Sequence, residues 1–413
     1  MAPTLLSGYR ALELTDEKGF ICGKILATLG VEVIKVERPG GDPSRLLPPF
    51  AGDVPHPERS LYWLAFNTDK RSLTLDLEKE KGRELFLKLV ARTDFLIESF
   101  PPGYLDRLGL GYEELSRLNP RLIMTSITPF GQQTPYRGYK GSELIVSALS
   151  GVMLTNGDPD RPPLREGPDS ITFEGNAAAA LGTIIAHLHR ELTGEGQHID
   201  VSLQEVAAKR TSTNWIPWEF DRRLIPRSSN IRTVGSRATQ WIWECRDGYL
   251  FWPFMGSPVG SQGNHALAGW MADEGFGAPL LQVEDWDNFD MAALSPQSLE
   301  EMQQAIRQFF LRHSKSEIAR ESLRRGVNAA VISTPADVLQ NEQLAARAYW
   351  VRLQCVDEGK PLSFPGYFIR SNETENRVRQ GAPRVGEANE EILGSELGLS
   401  PEELEELRRE GVI

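Results

Sequence analysis

Several cations stand where a sheet could use them. Arg38 closes one apolar run, Lys70 and Arg71 open another, and Arg107 and Lys140 come after two more. Arg38, Arg107 and Lys140 each follow the carboxyl end of a stretch that reads as a strand, which is where open α/β sheets bind their ligands. Guanidinium forks and ammonium groups in that place suit a ligand with several anionic oxygens. Any one of them taken singly is an ordinary solvated charge, so it is the shared placement that points to a site. The cysteines carry no such pattern. Cys22, Cys245 and Cys355 are scattered, with no spacing suited to a disulfide framework or a zinc site, and read as reduced, buried thiols.

The background charge sharpens this contrast. The 413 residues carry a net charge of −12, which disfavours nucleic acid or an anionic membrane as the main partner. Residues 384 to 413 hold nine Glu and three Arg, so about half of the excess sits in a tail ending in a helix at Ser400-Pro-Glu-Glu. Cations further upstream are therefore free to build a local anion site. No segment has the roughly 18 apolar residues that a membrane span needs, and the start shows no basic stretch followed by an apolar run; the expected location is the cytoplasm.

The elements that must position these residues alternate. Tyr9 to Leu14 reads as a strand, Phe20 to Leu29 as a helix stopped by Gly30, and Val31 to Val36 as the next strand. Ser72 to Leu77 is a strand with Leu73, Leu75 and Leu77 on one face; Glu78 to Ala91 is a helix, and Phe95 to Phe100 and Leu122 to Ile127 are strands. That is the texture of a parallel sheet covered by helices. Helical patterns follow at Ser142 to Met153 and Glu174 to Leu192, then a strand at Gln197 to Leu203.

From about Pro226 the chain is richer in Trp, with a hairpin signal at Arg246-Asp247-Gly248. Helices are expected at Leu299 to Arg312, opened by Ser298 and Glu301, and at Glu317 to Arg325, stopped by Gly326. The expected division is a large domain over residues 1–225, a small domain over 226–330, and a return to the large domain with an acidic tail over 331–413. The opening βαβ invites a nicotinamide or other dinucleotide, but its turn, Thr15-Asp-Glu-Lys-Gly, lacks the glycine fingerprint that lets a diphosphate approach a helix.

Ordered segments along most of the chain resemble family III CoA-transferases (the CaiB/BaiF type, which includes formyl-CoA transferase). They are Leu29-Gly-Val-Glu-Val-Ile-Lys-Val-Glu-Arg-Pro-Gly-Gly-Asp, Asn67-Thr-Asp-Lys-Arg-Ser-Leu, Glu98-Ser-Phe-Pro-Pro-Gly, Leu105-Asp-Arg-Leu-Gly-Leu, His189-Arg-Glu-Leu-Thr-Gly-Glu-Gly-Gln and Pro335-Ala-Asp-Val-Leu. The resemblance implies a doubly wound parallel-sheet large domain with an inserted smaller α+β domain, and two chains interlocked as a dimer. It implies coenzyme A or acyl-CoA as substrate, with no metal, nicotinamide or flavin. It also implies that Arg38, Asn67, Lys70, Phe100, Arg107 and Lys140 face the CoA.

The family's nucleophile is an aspartate, already ionised at neutral pH because its unperturbed pKa is about 3.9, which takes the acyl group from the thioester. Counted back from Arg190 and Thr193, its position falls on Thr172, or on Ile171 with the other spacing that members use. Neither is a carboxylate. Asp169 is the fallback, although Gly167-Pro-Asp-Ser also suits a turn or cap, and Glu174 is expected to point elsewhere once the helix begins. No run of glycines like that of the formyl-CoA enzymes appears in the small domain. The histidine–aspartate pair of the racemase branch is absent too, since that region reads Tyr139-Lys-Gly-Ser-Glu.

Two readings follow. The chain is either the aspartate-lacking subunit of a hetero-oligomer, completed by a paralogue that keeps the aspartate, or a self-sufficient homodimer using Asp169. Within the family, exchange between succinyl-CoA and (R)-benzylsuccinate in anaerobic toluene degradation is carried by two different members, and it is the analogy for the first reading.

Overall fold

A computed structural model describes residues 4–167, 169–234, 237–354, 361–374 and 378–413; Cys355 lies outside them. The chain divides into two units. The first comprises residues 1–153, 165–224 and 342–413, and the second 154–164 and 225–341. The second unit thus differs from the expected 226–330 in taking residues 331–341 and a separate segment, 154–164.

In the first unit, strands β1 (Arg10–Leu14), β2 (Glu32–Glu37), β3 (Lys70–Thr74), β4 (Phe95–Glu98), β5 (Ile123–Thr128) and β6 (His198–Ser202) form one sheet in the order β3-β2-β1-β4-β5-β6. Every neighbouring pair is parallel. Helices α1 (Phe20–Leu29), α2 (Leu61–Phe66), α3 (Glu80–Val90), α4 (Tyr104–Arg107), α5 (Tyr112–Leu118), α6 (Glu143–Leu149), α7 (Ser170–Thr193), α8 (Leu203–Arg210) and α9 (Ser212–Asp221) follow in chain order. Alternation along each strand sends its apolar residues to two separate cores. Leu12, Ile34, Leu73, Leu96 and Met124 pack with α3 and with Ile392, Leu393, Leu404 and Leu407 from the end of the chain. Ala11, Val33, Phe95, Ile97 and Ile123 pack on the other face, with α1 and α7. A sheet buried on both sides explains the near-continuous apolar runs.

The motif around Arg190 is structural. Its guanidinium is fully buried at the last turn of α7 and donates to the carbonyls of Asp94 and Arg121, both at 3.1 Å. In the turn that follows, a Cβ on Gly196 would stand 2.0 Å from the Leu122 carbonyl oxygen, so glycine is what lets α7 return into β6.

In the second unit, β7 (Ile242–Cys245) and β8 (Gly248–Phe251) form the hairpin at Arg246-Asp247. Its core is aromatic, with Trp243, Trp252, Trp270, Phe309 and Phe310 buried together. The helix expected at Leu299 runs over Pro296–Phe310 instead, capped by Ser295 and started by Pro296 rather than by the Ser298–Glu301 pair. The next helix, Lys315–Arg325, has a true capping box, Ser314 with Glu317, and ends at Gly326.

Candidate active site

The strand order reverses between β1 and β4, so a crevice opens at their carboxyl ends. Two loops meet there. The Ser99 hydroxyl accepts from the Asp16 amide at 2.9 Å and donates to the Asp16 carboxylate at 2.8 Å, which ties the turn after β1 to the turn after β4.

The floor of the crevice is charged but sealed. Lys70 is the first residue of β3, not the residue before a strand, and its side chain therefore runs inward. The ammonium meets Glu13 at 2.8 Å, the Phe20 carbonyl at 2.8 Å and the Asn67 amide oxygen at 2.9 Å. All its donors are used inside, and burial pulls its pKa down to about 8. Asn67 is equally buried and spends its amide on Lys70 and on the Trp63 carbonyl. These two expected CoA contacts are thus a packing network, a structural use that a cation beside a strand does not reveal in sequence. Beside them, Arg45 grips Glu37 through two bonds, at 2.7 and 2.8 Å, and lies 3.8 Å over the Trp63 ring.

The other expected contacts stay at the rim. Arg38, Arg107 and Lys140 are exposed, and none has an ion-pair partner among the described residues. Among the described residues Arg38 donates to the Gly41 carbonyl, at 3.4 Å. Arg107 lies 5.4 Å from the Tyr104 ring centroid. Phe100 is half-buried, with its ring 4.5 Å from that of Tyr104 and its amide donating to Glu98 at 2.7 Å. Three rim cations and two aromatic rings at the carboxyl edge suit a ligand that carries phosphates and a flat base.

The first turn of α7 supplies the other half of the site. This helix begins at Ser170, four residues earlier than Glu174, because Asp169 takes a left-handed backbone (φ 63°) that turns the chain straight into it. Ile171 and Thr172 therefore lie inside the helix and are buried. Asp169 sits at the cap position, yet its side chain caps nothing. The cap comes from Glu143 at the start of α6. Its carboxylate accepts from the Ile171 amide at 3.0 Å, the Thr172 amide at 3.1 Å and the Thr172 hydroxyl at 2.5 Å. Sequence reasoning missed Glu143, since its partners are 28 and 29 residues away and no local spacing signals them.

Glu174 faces away from this turn, bound by Arg210 at 3.3 Å. Asn176 fixes the turn in place, donating to the carbonyls of Lys18 and Thr172, both at 2.7 Å, and accepting from the Cys22 amide at 2.9 Å. Burial, then the negative charge of Glu143, raises the Asp169 carboxyl above its usual range. Burial, followed by Asp169, Glu17, Glu143 and Asp16, raises Tyr62 as well. The mouth of the site is therefore rich in carboxylates.

The family model for CoA-transferase family III matches residues 6–389. The chain belongs to CoA-transferase family III. It is similar to the succinyl-CoA:(R)-benzylsuccinate CoA-transferase subunit BbsE of Thauera aromatica, with 35% identity over 98% of each chain. It is also similar to the succinyl-CoA–L-malate CoA-transferase beta subunit of Chloroflexus aurantiacus, with 30% identity over 99% of this chain and 98% of that one. Among solved structures, a CaiB/BaiF family protein from Brucella suis superposes with a TM-score of 0.78 at 29% identity, covering 95% of this chain and 99% of that one.

As a family III CoA-transferase the chain handles CoA thioesters. Among the described residues, no group of three or more His, Cys, Asp or Glu is placed to hold a metal ion, and no helix is long and apolar enough to cross a membrane.

Proposed function

We propose that this chain is the subunit of a heteromeric CoA-transferase that lacks the acyl-accepting aspartate, and that a paralogous chain with aspartate at the position of Thr172 completes the enzyme. The reaction moves CoA from an acyl-CoA donor such as succinyl-CoA to a carboxylic acid, with benzylsuccinate the first acid to test. Arg38, Arg107 and Lys140 meet the phosphates and Phe100 the adenine or pantetheine. The setting is cytoplasmic, and CoA itself is the only group carried, with no metal, nicotinamide or flavin.

The observation that carries this reading is Thr172. A threonine stands where the acyl-accepting carboxylate belongs, its hydroxyl is a donor to Glu143 at 2.5 Å, and the nearest histidine along the chain, His187, has its Nδ1 against Arg190 at 2.9 Å. A partner chain is further supported by α7, where Leu181, Ile185, Leu188 and Leu192 form an apolar stripe that is 58% exposed or more. Two of the relatives above are subunits by name.

A second reading is a homodimer that uses Asp169, favoured by a carboxylate beside Thr172 with no capping duty. Purifying the chain with and without its paralogue and assaying CoA exchange from succinyl-CoA separates the two. The subunit reading expects exchange only from the pair. Exchange by this chain alone, lost in Asp169→Ala, overturns it.

A further inference from the structure

We infer that Glu98, beneath Phe100, takes up a proton from solvent as CoA enters the crevice, so that this acid is neutral while the polyanion is bound. The inference rests on the reading of Phe100 and the rim cations as CoA contacts.

Glu98 closes β4 in register with Ser126 on β5, which is in register with Asp200 on β6, so all three point to one face of the sheet. One carboxylate oxygen of Glu98 accepts from the Phe100 amide at 2.7 Å and the other from the Gln132 side chain at 3.3 Å. Ser126 is fully buried and gives a further hydrogen bond to the same carboxylate. Glu98 is therefore one hydrogen bond away from the residue whose ring is offered to CoA.

The charges that face it are of the wrong sign to steady an ion. Asp106 comes from α4, one residue before Arg107, and Asp200 from β6. From α5, Tyr112 stacks on His198 with ring centroids 5.4 Å apart, and His198 Nε2 lies 2.8 Å from Ser126 Oγ. Burial, opposed by the bonds from Ser126 and Phe100 and aided by the two aspartates, brings the Glu98 carboxyl up to about 7. Covering one side of His198 pulls that imidazole below its ordinary range.

A bound ligand moves this balance in one direction. CoA carries a diphosphate and a 3′-phosphate, and its arrival over Phe100 both removes water from above Glu98 and adds negative charge there. Each effect disfavours the carboxylate and raises its pKa. The network admits the proton without losing a bond. A neutral acid accepts from the Phe100 amide through its carbonyl oxygen and donates through its hydroxyl to Ser126, whose own proton can then face His198 Nε2. His198 is exposed, so this chain of hydrogen bonds begins in solvent. Because the pKa rises on binding, affinity is greatest where Glu98 is already protonated and falls as pH rises through about 7.

The experiment is calorimetric titration of the full chain at pH 6, 7 and 8, in buffers of different ionisation enthalpy, which counts the protons exchanged per ligand bound. Dephospho-CoA is the probe, because it lacks the phosphate monoester that itself titrates near pH 6. The wild type should take up about half a proton at pH 7 and more at pH 8, with affinity falling about three- to fivefold between them. Glu98→Gln is neutral at every pH. It should lose this uptake, show a flat profile and bind up to about tenfold more tightly than wild type at pH 8, whereas a merely structural Glu98 would leave binding weaker on substitution. His198→Gln should keep the uptake.

Binding to the wild type without proton uptake overturns the inference. So does uptake that persists in Glu98→Gln, which would pass the proton to His198 or to Lys70, held at about 8 beneath the same crevice. If Glu98→Gln fails to fold, Ser126→Ala decides. It removes a bond that steadies the ion and should move the uptake window about one unit to higher pH, and a window left in place refutes the assignment. No binding of CoA or dephospho-CoA at any pH sinks the CoA reading of the crevice and the inference with it, while binding without proton exchange sinks the part given to Glu98 alone.

Discussion

The Lys70 ammonium stands 2.8 Å from the carboxylate of Glu13, and neither side chain reaches solvent. Breaking such a pair leaves a buried charge without its partner. Lys70→Met should therefore lower stability by about 3–5 kcal/mol, whereas Glu13→Leu combined with Lys70→Met should recover much of the loss. Urea titrations of the three proteins test this, and a Lys70→Met chain as stable as wild type would refute it.

Gly23 on α1 makes room for the same carboxylate. A Cβ there would fall 2.0 Å from Glu13 Oε2. Gly23→Ala should cost about 1–3 kcal/mol by overpacking, despite alanine's better helix propensity. Its melting midpoint is the readout, and a rise would contradict the close approach.

The rim cations make a graded prediction. Arg38→Ala, Arg107→Ala and Lys140→Ala should each weaken CoA binding by about ten- to a hundredfold, the span expected for one charge-assisted hydrogen bond. Calorimetric titration with CoA and with dephospho-CoA would assign the 3′-phosphate to the variant whose loss vanishes with the shorter ligand. Unchanged affinity in all three would remove them from the site.

Glu98 is 3% exposed, and burial pushes its carboxyl up to about 7. A carboxyl whose folded pKa exceeds its unfolded value makes the folded state bind the proton more tightly, so its contribution to stability falls as pH rises from about 4.5 to 7 and stays low above. The difference is on the order of 3 kcal/mol. Glu98→Gln should thus gain stability relative to wild type at pH 8 and lose that advantage at pH 4.5. Parallel melting curves against pH would disprove it.

What was legible in sequence follows from what is local. The helix Phe20–Leu29 and its left-handed Gly30 appear where apolar spacing and a stop residue place them. The strand alternation likewise anticipates the two cores. Lys70 was misplaced because its partner Glu13 is 57 residues away and nothing local separates a phosphate ligand from a buried ion-pair cation. The onset of α7 came early because Gly167-Pro-Asp reads as a turn, while the left-handed Asp169 makes that turn continuous with the helix. Thr172 in the nucleophile's position was readable from the count to Arg190. Its engagement by Glu143 was not, being a contact between two helices.

The end of the chain closes the sheet. Ala388 donates to the Ser72 carbonyl at 2.9 Å, the Thr74 amide donates to Asn389 at 2.9 Å, and the Asp76 amide donates to the Val412 carbonyl at 2.8 Å. Strand β3 leaves the ribosome some 315 residues before the asparagine that covers it. Until then it is an open edge with unpaired backbone groups, the kind of surface on which nascent chains pair wrongly with one another. Translation speed and chaperone supply should therefore govern how much of this protein reaches its native state, and a message truncated before residue 388 should yield aggregates rather than a smaller folded domain.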